Sequence, residues 1–277
     1  MKMIFPGISG YGLGTTGFWS GSNPGLDNCI REAVEQYDLT VLDTAEMYGD
    51  GRSEEALGKA VRGLDRERLF LVDKILPQNA TPEHFRKSLH SSLKRLQTDY
   101  LDLYLLHWRE ETDLTFLVKA MEDAVEEGLI RRWGVSNFDT EDLEDLMAVK
   151  NGNRCFCNQI FYNVYERGAE HHLLPFMQAH AILPMAYSSL GSDYHPHPDI
   201  HRNRAVSQFC GKAGIAPEAF MLRWNLEHGF CACFSTSSPQ HLRDNLCDIP
   251  AELQVEFSRI IELEFPCPKQ PYPLVKI

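Results

Sequence analysis

Positive charge is scarce in this chain. Its 277 residues carry 27 lysines and arginines against 39 aspartates and glutamates, a formal net charge of −12. A nucleic-acid partner or an anionic membrane surface is therefore not expected. Long apolar runs are missing too. No window approaches the roughly 20 apolar residues of a membrane span, and the opening Met1-Lys2-Met3-Ile4-Phe5-Pro6 lacks the apolar core of a signal peptide. The expectation is a soluble, cytoplasmic protein. Zinc-spaced cysteines are also absent. Cys155-Phe156-Cys157 and Cys231-Ala232-Cys233 hold pairs one residue apart, whereas zinc ligands favour spacings of about two to four. Such spacing puts both thiols of a pair on one strand face, where free cysteine packs as a small hydrophobe. A disulfide framework is not expected in a chain this long without a secretory signal. No linker or compositional shift divides residues 1–277, which read as one domain.

What is present is alternation. Short apolar runs read as buried strands at 39–43, 69–74, 101–107, 132–136, 156–161, 182–187 and 230–234, with a short opening strand near 10–14. Helical periodicity fills the gaps. Leu26, Cys29, Ile30, Ala33, Val34 and Tyr37 repeat at three and four, and further helices are expected over 53–61, 141–149, 170–179, 205–213 and 217–227 and from about 239. Leu117, Ala120, Met121, Ala124 and Val125 form another inward stripe, stopped near Gly128. Thr81-Pro82-Glu83 reads as a helix start, with cap, proline and first-turn acid in order. Strands alternating with helices imply a parallel sheet, and eight such units close it into an α/β (β/α)8 TIM barrel.

Titratable residues cluster at the ends of these strands. Asp43-Thr44-Ala45-Glu46-Met47-Tyr48-Gly49 follows the first long run, Lys74 ends the next, and His107 ends the one after. An acid, a phenol, an amine and an imidazole on one barrel face make a proton-transfer site. Gly12-Leu13-Gly14-Thr15-Thr16-Gly17 matches a dinucleotide-binding fingerprint. That fingerprint requires its glycines to open a helix directly, and here residues 18–25, with two glycines and Pro24, intervene. The turn is read instead as a close backbone approach to a ligand.

Residues 43–49 and the following Ser53-Glu54-Glu55-Ala56-Leu57-Gly58 resemble the signature of the aldo-keto reductases. Lys74, His107, Gly134-Val135-Ser136-Asn137-Phe138, Asn158-Gln159, Ala186-Tyr187-Ser188 and Ser238-Pro239-Gln240-His241-Leu242-Arg243-Asp244-Asn245 match further motifs in order. The resemblance implies an NAD(P)H-dependent reductase converting an aldehyde or ketone to an alcohol. Tyr48 is then the general acid, Lys74 its modulator, Asp43 the partner of Lys74, and His107 the group that orients the carbonyl oxygen. A neighbouring ammonium is expected to lower the phenol from its usual pKa of about 10. Ser136, Asn137 and Gln159 would bind the nicotinamide carboxamide, and Tyr187 would stack on the ring. Ser188, Leu190 and Ser192 match the pyrophosphate site, with Gly14, Thr15 and Thr16 in the first glycine turn. Ser235, Thr236, His241, Asp244 and Asn245 match the adenosine end. The alternatives are an NAD-linked sugar or alcohol dehydrogenase working oxidatively, and a non-catalytic cofactor-binding regulator resembling potassium-channel β-subunits. The intact tetrad favours the enzyme.

The chain departs from the family pattern in several places. Ser235 and His241 stand where many members hold the 2′-phosphate of NADPH with Lys and Arg. NADP is the cofactor implied, with NAD the alternative, and Arg243 could compensate if it turned inward. Thr16 occupies the position of a common pocket tryptophan, and Leu76 that of another aromatic. Trp108 is the expected substrate contact. Arg109 replaces a common proline and is expected to pair with its neighbours Glu110 and Glu111. Tyr194-His195-Pro196-His197-Pro198 reads as an exposed substrate loop, and no metal site is expected. The identity of the substrate and the oligomeric state are not legible in the sequence.

Overall fold

The computed structural model describes residues 10–192 and 197–276. Met1–Pro6 and residues Tyr194, His195 and Pro196 of the substrate loop lie outside them. Eight strands close a parallel barrel in chain order: β1 (Tyr11–Gly14), β2 (Val41–Asp43), β3 (Phe70–Ile75), β4 (Leu103–Leu106), β5 (Trp133–Ser136), β6 (Cys157–Phe161), β7 (Leu183–Tyr187) and β8 (Cys231–Phe234). Closure runs through Tyr11↔Ala232, Gly12↔Cys233 and Leu13↔Phe234. The helices are α1 (Pro24–Gln36), α2 (Arg52–Ala60), α3 (Phe85–Leu96), α4 (Leu114–Glu126), α5 (Thr140–Ala148), α6 (Leu173–Ala179), α7 (Arg204–Ala213), α8 (Pro217–Glu227), α9 (Pro239–Asn245) and α10 (Gln254–Glu264). The expected (β/α)8 barrel is what forms.

The strands read as unbroken apolar runs because both of their faces are buried. Side chains alternate across a strand. Val41, Phe70, Val72, Leu103, Leu105, Cys157, Met185, Cys231 and Cys233 fill the barrel, while Leu42, Leu71, Ile75, Tyr104, Leu106, Ile160 and Ala186 meet the helices. Cys231 and Cys233 therefore share a face, as expected. Cys155 and Cys157 do not: Cys155 precedes β6 and packs in the outer cluster, whereas Cys157 points into the barrel.

Two helix starts differ from expectation. Thr81 does not cap α3. Its carbonyl accepts from both His84 N and Phe85 N in a turn, and the helix begins at Phe85 behind His84. The segment before β7 is split into a 3-10 turn (Gly168–Glu170) and a shorter α6. Helix α1 behaves as its sequence implies: Asn23 caps Leu26 N, and Leu26, Cys29, Ile30, Ala33 and Val34 are buried.

Candidate active site

Register positions the acid and the amine. Asp43, the last residue of β2, pairs with Val72 of β3. Lys74 lies two residues further along β3, on the same face as Val72, so its side chain rises beside the Asp43 carboxylate. Lys74 is 1% exposed and Asp43 4%. The Lys74 Nζ donates to Asp43 Oδ2 at 2.8 Å, to Thr44 O at 2.7 Å and to Tyr48 Oη at 3.4 Å. An ammonium has three protons, so all three have acceptors. The loop carrying Tyr48 is drawn over β3 by Thr44 N to Val72 O (2.9 Å) and Glu46 N to Lys74 O (3.3 Å).

Gly49 ends this loop at φ +60, and a Cβ there would lie 2.0 Å from Trp19 O. Only glycine permits that approach, which brings the Trp19 ring to 6.0 Å from Tyr48. Trp19 is 47% exposed. The sequence pattern points to Thr16 instead, and the signal for Trp19 is only an aromatic three residues downstream in the same glycine-rich loop. His107 follows β4, its N donating to Ile75 O at 2.9 Å. Its ring stands edge-on to Tyr48, 6.0 Å away at 80°, and 4.8 Å from half-buried Trp108.

The electrostatics differ from expectation in one respect. Burial raises the Tyr48 phenol above its usual value; Lys74 opposes this, and Asp43 reinforces it. The ammonium does not win because burial of the phenol outweighs it, and its own carboxylate partner offsets part of its field as well. For Lys74, burial alone lowers basicity, but Asp43 and Tyr48 more than offset it and hold the ammonium above the ordinary lysine range. Burial, with Lys74 nearby, lowers His107 to about 3. Its imidazole is neutral at physiological pH, and Nδ1 has no hydrogen-bond partner among the described residues.

A second ring of polar groups adjoins these four. Gln159 Nε2 donates to Asp43 Oδ1 at 2.9 Å, so one carboxylate serves both Lys74 and Gln159. Ser136 Oγ donates to Gln159 O at 2.9 Å. Asn137, in the left-handed region at φ +61, donates to His107 O at 3.0 Å and accepts from Tyr187 Oη at 2.7 Å. Thr15 is buried and its hydroxyl donates to Asp43 O at 3.0 Å. Ser188 is also left-handed, at φ +51, and its carbonyl accepts from Asn163 Nδ2 at 3.1 Å. Leu190 and Ser192 continue that loop, both partly buried.

The remaining candidates gather around the β8–α9 loop. Ser235 lies against the first glycine turn, 3.9 Å from Cβ positions built on Gly14 and Gly17. Thr236 Oγ1 accepts from Ser238 N at 3.1 Å. Asp244 accepts from Gln240 at 2.8 Å, Asn245 is buried and His241 is exposed. Arg243 does not turn inward: it donates to Glu32 of α1 at 2.8 Å. Arg109 does not pair with Glu110 or Glu111 either. It bridges Asp142 (2.9 Å) and Asp145 (2.8 Å) of α5, while Trp108 Nε1 donates to Glu110 at 2.7 Å. The closer partners come from a helix the local sequence does not reveal. His197, from the substrate loop, stacks on Tyr165 at 4.6 Å.

Residues 10–262 match the model of the Aldo/keto reductase family. Methylglyoxal reductase YeaE of Escherichia coli is 38% identical over 241 residues, covering 87% of this chain and 84% of that protein. Among solved structures, an aldo/keto reductase from Klebsiella pneumoniae in complex with NADP and acetate aligns with a TM-score of 0.90 at 35% identity, covering 98% of this chain and 96% of the other. An aldo-keto reductase from the same organism in complex with NADPH aligns with a TM-score of 0.88 at 36% identity, covering 98% and 95%.

Proposed function

This chain belongs to the aldo/keto reductase family, and from that premise we propose that it reduces a small aldehyde or ketone with NADPH, using Tyr48 as proton donor. The observation that carries the reading is the contact of Lys74 Nζ with Asp43 Oδ2 at 2.8 Å and with Tyr48 Oη at 3.4 Å, beside a His107 lowered to about 3. Because Lys74 donates to the phenol oxygen, the phenol's own proton is left for the pocket. Burial keeps that phenol protonated, the form an acid needs. Neutral His107 orients the carbonyl oxygen without competing as a cation.

The residues above the tetrad fit a nicotinamide. Asn137 ties down the Tyr187 hydroxyl, which fixes the orientation of a ring suited to stacking. Ser136, Asn137 and Gln159 offer amide and hydroxyl groups beside it for the carboxamide. When bound, the cofactor supplies hydride to the carbonyl carbon. Gly14, Thr15, Thr16, Ser188, Leu190, Ser192, Ser235, Thr236, His241, Asp244 and Asn245 would hold its remainder. Methylglyoxal is the first substrate to test, on the strength of the 38% identical relative of that name, and the aromatic wall of Trp19, Tyr48 and Trp108 suits a small, flat carbonyl compound.

Turnover is read from loss of reduced-nicotinamide absorbance with methylglyoxal and with an aromatic aldehyde. Tyr48→Phe is expected to lower kcat by about 10²–10⁴-fold, the range of a general acid, with cofactor affinity unchanged. Wild-type turnover in that variant would remove Tyr48 from the role. Cofactor discrimination is expected to be weak, since Ser235 and His241 carry no fixed cation and Arg243 is held by Glu32. Fluorescence titration should give an NADPH-to-NADH affinity ratio under about a thousandfold, roughly 4 kcal/mol; a larger ratio would mean another phosphate contact.

A further inference from the structure

We infer that Glu46 is a positioning residue for Tyr48, pinning the loop between Asp43 and Gly49 so that the phenol stays within reach of Lys74. The inference rests on Tyr48 being the proton donor. Glu46 is nearly buried and lies two residues before Tyr48. Its carboxylate accepts three hydrogen bonds from chain beyond the loop: Leu76 N at 2.7 Å and Asn79 Nδ2 at 3.0 Å, both on Oε1, and Ser88 Oγ of α3 on Oε2. These donors sit on the segment that follows Lys74 and on the helix packed behind β3.

No cation donates directly to Glu46 among the described residues. Arg95, the guanidinium facing this compartment from α3, is bidentate on Glu54 at 2.7 and 3.0 Å. Asp73, on the outer face of β3, is fully buried, and neither of its carboxyl oxygens has a hydrogen-bond partner among the described residues. Glu46 thus takes its hydrogen bonds from neutral donors, while Arg95, which also acts on it, is engaged directly by Glu54. Tyr48 Oη is 3.4 Å from Lys74 Nζ, the outer limit of a hydrogen bond, so a loop shift of a few tenths of an ångström opens the contact. Misplacement of a reacting group by about 1 Å costs on the order of 10²-fold in rate.

The test compares Glu46→Ala, Glu46→Gln, Ser88→Ala and Tyr48→Phe in full-length protein, with active molecules counted by NADPH titration and unfolding followed by circular dichroism. Glu46→Ala is expected to lower kcat by about 10–100-fold while KM and NADPH affinity stay within twofold of wild type. Glu46→Gln should restore most of the rate, because its carboxamide oxygen accepts from Leu76 N and Asn79 and its NH₂ donates to Ser88 Oγ. If Glu46→Ala does not fold, Ser88→Ala, which removes one of the three bonds, carries the same prediction with a smaller drop in kcat. A kcat per NADPH-binding molecule within twofold of wild type in the alanine variant that folds, beside an inactive Tyr48→Phe, overturns the inference alone. Loss of rate in Glu46→Gln equal to that in Glu46→Ala also overturns it. Wild-type turnover in Tyr48→Phe overturns the proton-donor assignment and this inference together.

Discussion

Asp73 is the residue whose titration should be most visible in stability. Burial, then the like charges of Glu54 and Glu46, hold its carboxyl well above the ordinary aspartate range. Below the unfolded-state value of about 3.9 both states are protonated and pH has no effect through this group. Above it, the folded state keeps a proton that the unfolded state has released. Stability therefore falls as pH rises toward the folded-state value, by up to ~1.4 kcal/mol per pH unit for one group. Glu54, raised by burial against the pull of Arg95, adds a slope of the same sign. Asp73→Asn keeps the shape of the neutral acid and should flatten the decline between about pH 5 and 8 and raise stability at neutral pH. Urea unfolding across that range checks it; an unchanged slope would mean that Asp73 is ionised in the folded protein. At this scale the sequence was legible where chemistry travels with a motif: Asp43, Tyr48, Lys74 and His107 converge at the strand ends as expected. It was illegible where a partner comes from elsewhere in the chain. Arg109 finds Asp142 and Asp145, and Trp19 reaches Tyr48 only because Gly49 allows the approach.

Among the elements, strands were easier to place than helix ends. A strand buried on both faces announces itself as an apolar run, as Phe70-Leu71-Val72 does in β3. A helix start depends on which of several capping geometries wins. At Thr81 an N1-proline pattern lost to a turn that sets the start of α3 three residues later. Helix α1 shows how closely one element can be tied to the ligand side. Gly25 lies in its first turn, and a Cβ there would stand 2.3 Å from Ser237 O in the β8–α9 loop. Gly25→Ala must push that loop aside or strain the helix start, with an overpacking cost of about 1–3 kcal/mol. Thermal melting should fall, and NADPH affinity should weaken with it, because Ser235 and Thr236, proposed to hold the cofactor, are in the displaced loop. A variant that melts and binds like wild type would mean that the loop yields freely.

At the scale of the whole molecule, architecture was the most legible property. Eight repetitions of one alternating pattern leave few ways to bury every strand, and the closed barrel is the one that does so. What the pattern does not carry is how distant units complete one another. The Asp43 carboxylate needs Gln159, 116 positions away, for its second oxygen, and β1 needs β8. Refolding from urea should accordingly regain far-ultraviolet dichroism ahead of turnover, since helices form from local contacts and the site does not. Simultaneous recovery of the two signals would show that helix formation and closure occur in one cooperative step.

That shared carboxylate has a meaning during synthesis as well. All four residues of the tetrad are in the chain once His107, just past β4, has been added, well before β6 exists. Until Gln159 arrives, Asp43 lacks the neighbour that completes it, and Tyr187, Asn137 and the β8–α9 loop are still to come. A nascent chain can hold all four side chains while the ring of polar groups around them is still incomplete. The complete site is thus assembled only late in the chain, when the β8–α9 loop has followed β8.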